Sequence, residues 1–276
     1  MLYRELPPPP ALRSVVRCFW ILRDAQGAGT VERVLPDGCV EIVVHRGTPM
    51  VRQHADGRQE VQPDAVVAGQ LRTAALLAST GPVDMIGVRF EPWAGASVLR
   101  ASLGGLTDGI VPLEDLDCGL PADLVERVQE APDDEQRVAL LSEHLLARLS
   151  GRDDDVEALR ATVARIQATR GAVAVADLAA GLGWSRRRLE RCFAREVGLS
   201  PKALCRVVRF QRILNGLEEP GRPSLAALAL DGGYADQAHL ARDFRDLAGL
   251  SITRYLAEQH ALSDCFTFGG ENARPS

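Results

Sequence analysis

The tail of this 276-residue chain repeats itself. Leu178-Ala179-Ala180-Gly181-Leu182-Gly183-Trp184 returns as Leu228-Ala229-Leu230-Asp231-Gly232-Gly233-Tyr234, at an offset of 50. Past the aromatic residue the offset becomes 51, where Leu189, Phe193, Gly198, Leu199 and Ser200 return as Leu240, Phe244, Gly249, Leu250 and Ser251. One residue inserted in the second turn accounts for the change. Such a duplication restricts the fold sharply, because both copies must be the same supersecondary unit. Each copy offers a short helix of small residues, a glycine able to take positive φ, an aromatic residue and a second helix, the parts of a helix-turn-helix. In the second helix of the first copy, Leu189 and Phe193 lie four apart and face inward. Arg187, Glu190, Arg191 and Arg195 are left on or near the outer side, and Ser185 stands at the N-cap. A long helix over 201–217 joins the copies, which sets the two second helices about one DNA turn, roughly 34 Å, apart.

Charge agrees with this reading only when counted by region. The formal net charge is −5, yet 152–260 holds 17 Lys+Arg against 14 Asp+Glu, while the rest holds 15 against 23. Between Trp184 and Arg212, nine Lys+Arg face two Glu, an electrostatic footprint suited to phosphate.

Over about 156–256 the tail resembles the DNA-binding domain of the AraC/XylS family of bacterial regulators. The resemblance rests on Gly183-Trp184-Ser185, Leu189-Glu190-Arg191-Cys192-Phe193, Arg209-Phe210-Gln211-Arg212-Ile213-Leu214 and Gly233-Tyr234-Ala235-Asp236-Gln237-Ala238-His239-Leu240-Ala241-Arg242-Asp243-Phe244. It implies seven helices and base reading at Arg187, Glu190 and Arg191 in the first module and at Gln237, Ala238 and Arg242 in the second. Arg186, Arg188 and Arg195 complete the expected DNA-binding set. Arginine reads guanine O6 and N7, Gln237 suits adenine, Glu190 accepts from a cytosine amine or pairs with a neighbouring arginine, and Ala238 offers a methyl contact. The chain departs from the family at Ile252, where proline usually opens the last helix.

The first hundred residues read as strands at 15–22, 31–35, 39–45, 65–69 and 85–90, with Pro36-Asp37-Gly38 as a turn. Alternation places Val40, Ile42 and Val44 opposite Glu41, Val43 and His45, and Met85, Gly87 and Arg89 opposite Ile86, Val88 and Phe90. Helices follow over 121–149, broken at 131–133, and Asp153, Asp154 and Asp155 favour the start of the next helix. The expected fold is an α+β multidomain chain: a cupin-like antiparallel β barrel or sheet with helices, then an all-α domain with two helix-turn-helix modules. Its divisions are 1–120 as a β-rich effector or sensor domain, 121–151 as a helical linker and dimerisation region, 152–260 as the DNA-binding domain and 261–276 as a tail. The family resemblance implies that the β-rich part binds a small effector. Leu35-Pro36-Asp37-Gly38-Cys39-Val40-Glu41-Ile42, Gly69-Gln70 and Gly87-Val88-Arg89-Phe90-Glu91-Pro92-Trp93 resemble a subgroup signature.

Trp20, Glu41, His45, Arg89 and Trp93 are the candidate effector-binding residues. No HxH motif occurs, and His45 and His54 alone make no metal set, so neither a metal nor another cofactor is expected and catalysis has no support. The six cysteines form no CxxC pair, although Cys18 and Cys39 are candidates for redox sensing. No apolar run approaches a membrane span of about 20 residues, and a cytoplasmic protein is expected.

A ligand-responsive transcription regulator is the leading reading. Control by a protein partner or by cysteine oxidation, and a cupin-type enzyme fused to a DNA-binding module, stay open on the residues alone. Expected partners are double-stranded promoter DNA, a second copy through 121–149, RNA polymerase and a small effector, with no membrane. Because phosphate neutralisation dominates affinity, the cationic first module should supply most of it, the second lying among Asp231, Asp236, Asp243 and Asp246. Arg191→Ala is expected to cost more affinity than Arg242→Ala in binding titrations at several salt concentrations.

Overall fold

A computed structural model describes residues 1–27, 29–116, 120–121, 123–149, 153–218 and 223–258. Cys118, Cys265, the boundary at 151–152 and the tail 261–276 lie outside the described residues. The β-rich part contains β1 (Leu2–Leu6), β2 (Val16–Asp24), β3 (Val31–Val34), β4 (Glu41–His45), β5 (Val51–Gln53), β6 (Gln59–Val61), β7 (Ala65–Ala68), β8 (Ala75–Ala78), β9 (Val83–Phe90) and β10 (Ile110–Pro112). They form a six-stranded antiparallel sheet, β1-β2-β9-β4-β7-β10, and a four-stranded one, β3-β8-β5-β6, rather than one closed barrel. The sequence reading missed β1, β5, β6, β8 and β10. All are five residues or fewer, and Arg52, Gln59 and Glu60 give β5 and β6 no apolar alternation to detect.

Alternation on the central strands decides what each face of the larger sheet buries. Phe19, Ile21, Ile42, Val44, Ile86 and Val88 share a core with Leu124 and Val128 of α2 (Leu124–Glu130) and Leu141 and Leu145 of α3 (Asp134–Arg148). The sheet thus takes the apolar faces of these helices, and their amphipathicity ceases to be a reason for dimerisation. Arg137, fully buried on α3, ties that helix to the sheet by donating to Asp84 at 2.9 Å. A short α1 (Gly95–Leu99) follows β9.

The opposite face carries Cys18, Trp20, Leu22, Val43, Val66 and Met85, with Glu41 and Arg89 in register on β4 and β9. Trp20 sits across from Gly87, and a Cβ at Gly87 would stand 2.0 Å from the indole, so only glycine lets the ring lie flat on the strand.

Among the described residues, seven helices follow: α4 (Asp154–Ala168), α5 (Val175–Gly181), α6 (Arg186–Glu196), α7 (Pro201–Glu218), α8 (Leu225–Asp231), α9 (Gln237–Ala248) and α10 (Ile252–Ala257). The duplication is visible in their caps. Ser185 accepts from Arg188 N, Asp236 from His239 N and Ser251 from Arg254 N, while Gly183 and Gly233 take φ of 65° and 73° in the two turns. With Ser251 as cap and Ile252 buried, α10 starts without the family's proline. Both modules pack on α7 through a continuous core containing Leu189, Phe193, Phe210, Leu240 and Phe244.

Leu35, expected to end a strand, instead leaves the sheet after Val34 and joins that helical core at 2% exposure. The signature residues explain how. Asp37 accepts from Cys39 N at 2.9 Å, Gln70 Nε2 donates to Gly38 O at 2.8 Å, and Arg89 Nε lies 2.6 Å from Glu41 and 3.4 Å from Asp37. Motifs far apart in sequence therefore converge on one turn, whose Pro36 carbonyl accepts from Gln211 Nε2 of α7 at 2.7 Å. Gly87→Ala should displace Trp20 from the middle of this arrangement and cost about 1–3 kcal/mol as overpacking, measured as a lower urea midpoint with an unchanged slope.

Candidate nucleic-acid interface

The charge on the second helix of each module becomes informative once its internal partners are removed. On α6, Arg186 donates to Glu190 at 2.9 Å. Arg188 donates to Asp155 at 2.9 Å and lies 4.1 Å over the Trp184 ring, so it braces α6 against α4 and the turn. Arg195 binds Glu196 and lines a cleft facing the β-rich part. Arg206 pairs with Asp243 and Asp246, Arg209 donates to Gly171 O, and Arg212 pairs with Asp231. Of the nine cations between Trp184 and Arg212, only Arg187, Arg191 and Lys202 have no partner among the described residues, and all three are exposed.

The same pairings alter the second module. Asp243, Asp246 and Asp231 are engaged by arginines of α7, and Asp236 caps α9, so three of the four carboxylates read from the sequence have a cationic partner. Gln237, Ala238 and Arg242 stand exposed along α9, and Arg242 has no described partner. The two outer surfaces are nearer in charge than the sequence count implies. Hydroxyl and carboxylate caps at Ser185 and Asp236 place the first turns of α6 and α9, and with them Arg187 and Gln237.

The effector candidates divide. Trp20, Glu41, His45 and Arg89 share one sheet face but are enclosed there: Arg89 by Glu41, Glu5 and Asp37, and His45 by a 3.0 Å contact with Gln62. Burial pushes the Glu41 carboxyl up, against the pull of Arg89, and lowers the His45 imidazole. Trp93 stands apart, donating to Ser14 O at 3.2 Å, and borders a cleft of about 710 Å³ between α1 and the helices α4 and α6. Arg100, which the sequence reading passed over, lines the same cleft from the end of α1 with a left-handed φ of 52°. No local pattern in the chain marks it.

Cys18 and Cys39 are both buried, and burial pushes the Cys18 thiol up to about 12 and raises that of Cys39. Oxidation proceeds through the thiolate, so this burial works against a redox role for either cysteine. Among the described residues, no group of three or more His, Cys, Asp or Glu is set to hold a metal ion, and no helix is long and apolar enough to cross a membrane.

Comparisons with known proteins fit this geometry. Residues 178–258 match the family model described as a helix-turn-helix domain, and residues 4–112 match DUF6597, a domain of unknown function. A probable AraC family transcriptional regulator from Rhodopseudomonas palustris is 30% identical, covering 37% of this chain and 95% of that one, with a TM-score of 0.32. The chain belongs to the AraC/XylS family. As an AraC/XylS-family member it is a DNA-binding transcription regulator. ToxT from Vibrio cholerae is similar over 87% of this regulator and 97% of its own chain, at 11% identity and a TM-score of 0.49. The AraC-like transcriptional activator CuxR is 14% identical over 79% of this regulator and 86% of its own chain, with a TM-score of 0.28. No curated protein matches the regulator.

Phosphate contacts reveal themselves in salt dependence. Arg187→Ala and Arg242→Ala should each weaken DNA binding and lower the salt slope by about 1 if they meet phosphate, whereas Arg188→Ala should leave the slope unchanged and lower the melting temperature.

Proposed function

We propose that this regulator binds promoter DNA sequence-specifically by laying α6 and α9 into successive major grooves. The supporting observation is that Arg187, Arg191, Gln237 and Arg242 are exposed and uncommitted on two helices that α7 joins into one unit. Arginine and glutamine side chains are the bidentate readers of guanine and adenine in the major groove, and Ala238 adds a surface for a thymine methyl. The remaining named arginines serve the fold: Arg186, Arg188 and Arg195 hold α6, and Glu190 orients Arg186.

The β-rich part acts as the sensor in this reading. Its effector, a small molecule, occupies the cleft at Trp93 and Arg100, where an indole and a guanidinium face helices of the DNA-binding part. The enclosed face at Trp20, Glu41, His45 and Arg89 acts as the sensor's structural core. Since a DNA-binding regulator works where its DNA is, the protein acts in the cytoplasm.

Selection of bound duplexes from a random double-stranded pool tests the proposal. The full chain should enrich two half-sites about 10–10.5 base pairs apart. Arg187→Ala with Arg191→Ala should relax the preference in one half-site, and Arg242→Ala in the other. A pool without enrichment, or the same motif selected by every variant, would rule the reading out.

A further inference from the structure

The residues that face DNA lie in the N-terminal and middle turns of α6 and α9. The opposite ends of both helices are held by the β-rich part. At α9, whose last four carbonyls have no partner within the helix, Ala74 N donates to Leu247 O at 2.7 Å and Arg33 Nη1 donates to Ala248 O at 3.0 Å. A guanidinium there also complements the negative end of the helix dipole. Just past the end of α6, Thr107 Oγ1 donates to Gly198 O. The turn before Thr107 presses so closely on the last turn of α6 that a Cβ on Gly104 would stand 2.9 Å from Ala194 O. Between these two grips, Leu35 and the Pro36 carbonyl engage the core and Gln211 of α7.

The gripping residues are themselves rigidly spaced. Arg33 on β3 pairs with Leu76, and Val34 with Ala75, so Arg33 and Ala74 are diagonal neighbours at one end of the smaller sheet. Thr107 lies three residues before β10, which pairs with β7 in the larger sheet.

Resting on the regulator reading above, we propose that the β-rich part is a caliper: Arg33, Ala74 and Thr107 are positioning residues that fix the separation and angle of α6 and α9, and so set which half-site spacing the protein accepts. The physical ground is that both modules pack on the one helix α7, and a second attachment at the far end of each recognition helix holds its direction from outside that core. Water satisfies the same carbonyls when a grip is lost. Loss of a grip therefore changes stability little and geometry much.

The test uses the full chain and the half-sites selected above, placed in duplexes at the selected spacing and with one or two base pairs added or removed. Wild type should prefer the best spacing over its neighbours by about tenfold or more, a step typical of discrimination between DNA sites. Arg33→Ala combined with Thr107→Val should bring that preference down to about threefold or less, with binding to an isolated half-site unchanged. Thr107→Ser alone should keep the wild-type profile, because it keeps the donor. Gly104→Ala, which pushes on α6 without removing a hydrogen bond, should move the preferred spacing or flatten the profile, and it answers the question if the double variant fails to fold. An unchanged profile in the folded variants, or an equal loss at every spacing, overturns the caliper while leaving the regulator reading intact. Failure of the wild-type chain to bind any duplex overturns both.

Discussion

The guanidinium of Arg89 is buried on β9 with carboxylates around it, Glu41 on the neighbouring strand and Asp37 in the turn that follows β3, and the join between the two parts of the molecule depends on that placement. A cation so enclosed is tolerable only while its partners stay in position, since removing one partner of a buried pair costs about 3–5 kcal/mol. Asp37 is thereby held, and with it the turn that points Leu35 and the Pro36 carbonyl at the helical part. Gln70 fixes the other side of the same turn through Gly38 O. What the sheet buries for its own stability is thus also what presents an apolar plug and an acceptor to α7.

This arrangement joins the β-rich part and the helical part without a loose hinge between their cores. Leu35 counts among the core residues of the helices, and Gln211, 1% exposed, has its amide nitrogen committed to Pro36. The turn thus contacts the rod carrying both modules directly. The cleft at Trp93 and Arg100 lies along the same boundary, where its walls belong to both parts.

Electrostatics on the reading surface follow from subtraction. The chain places nine cations between Trp184 and Arg212, but most are consumed by carboxylates and carbonyls of the fold, and those left over stand on the outer side of α6 or at Lys202. The aspartates around α9 are consumed in the same way. Counting charges along the chain therefore overstated the contrast between the modules, because an ion pair formed inside the protein contributes little to the field that phosphate meets.

The duplication was legible in the amino-acid order because its physics is local: cap, glycine turn, aromatic closure and four-residue apolar spacing all act within about a dozen residues, and the helices, caps and positive-φ glycines occur where that spacing puts them. Alternation likewise assigned Glu41 and Arg89 to one sheet face. The short strands escaped because their pairing, not their own pattern, defines them, as in β5, whose polar residues form a strand beside β8, and β6, which forms one beside β5. By itself, the sequence determined two helix-turn-helix modules on one rod, preceded by a β-rich part. Only the tertiary structure decided which arginines have no partner among the described residues, that the effector candidates of the sheet are closed in on themselves, and that Leu35 belongs to the helical core. Those outcomes depend on contacts between residues far apart in the chain, such as Arg206 with Asp243 or Arg33 with Ala248, for which no local pattern exists.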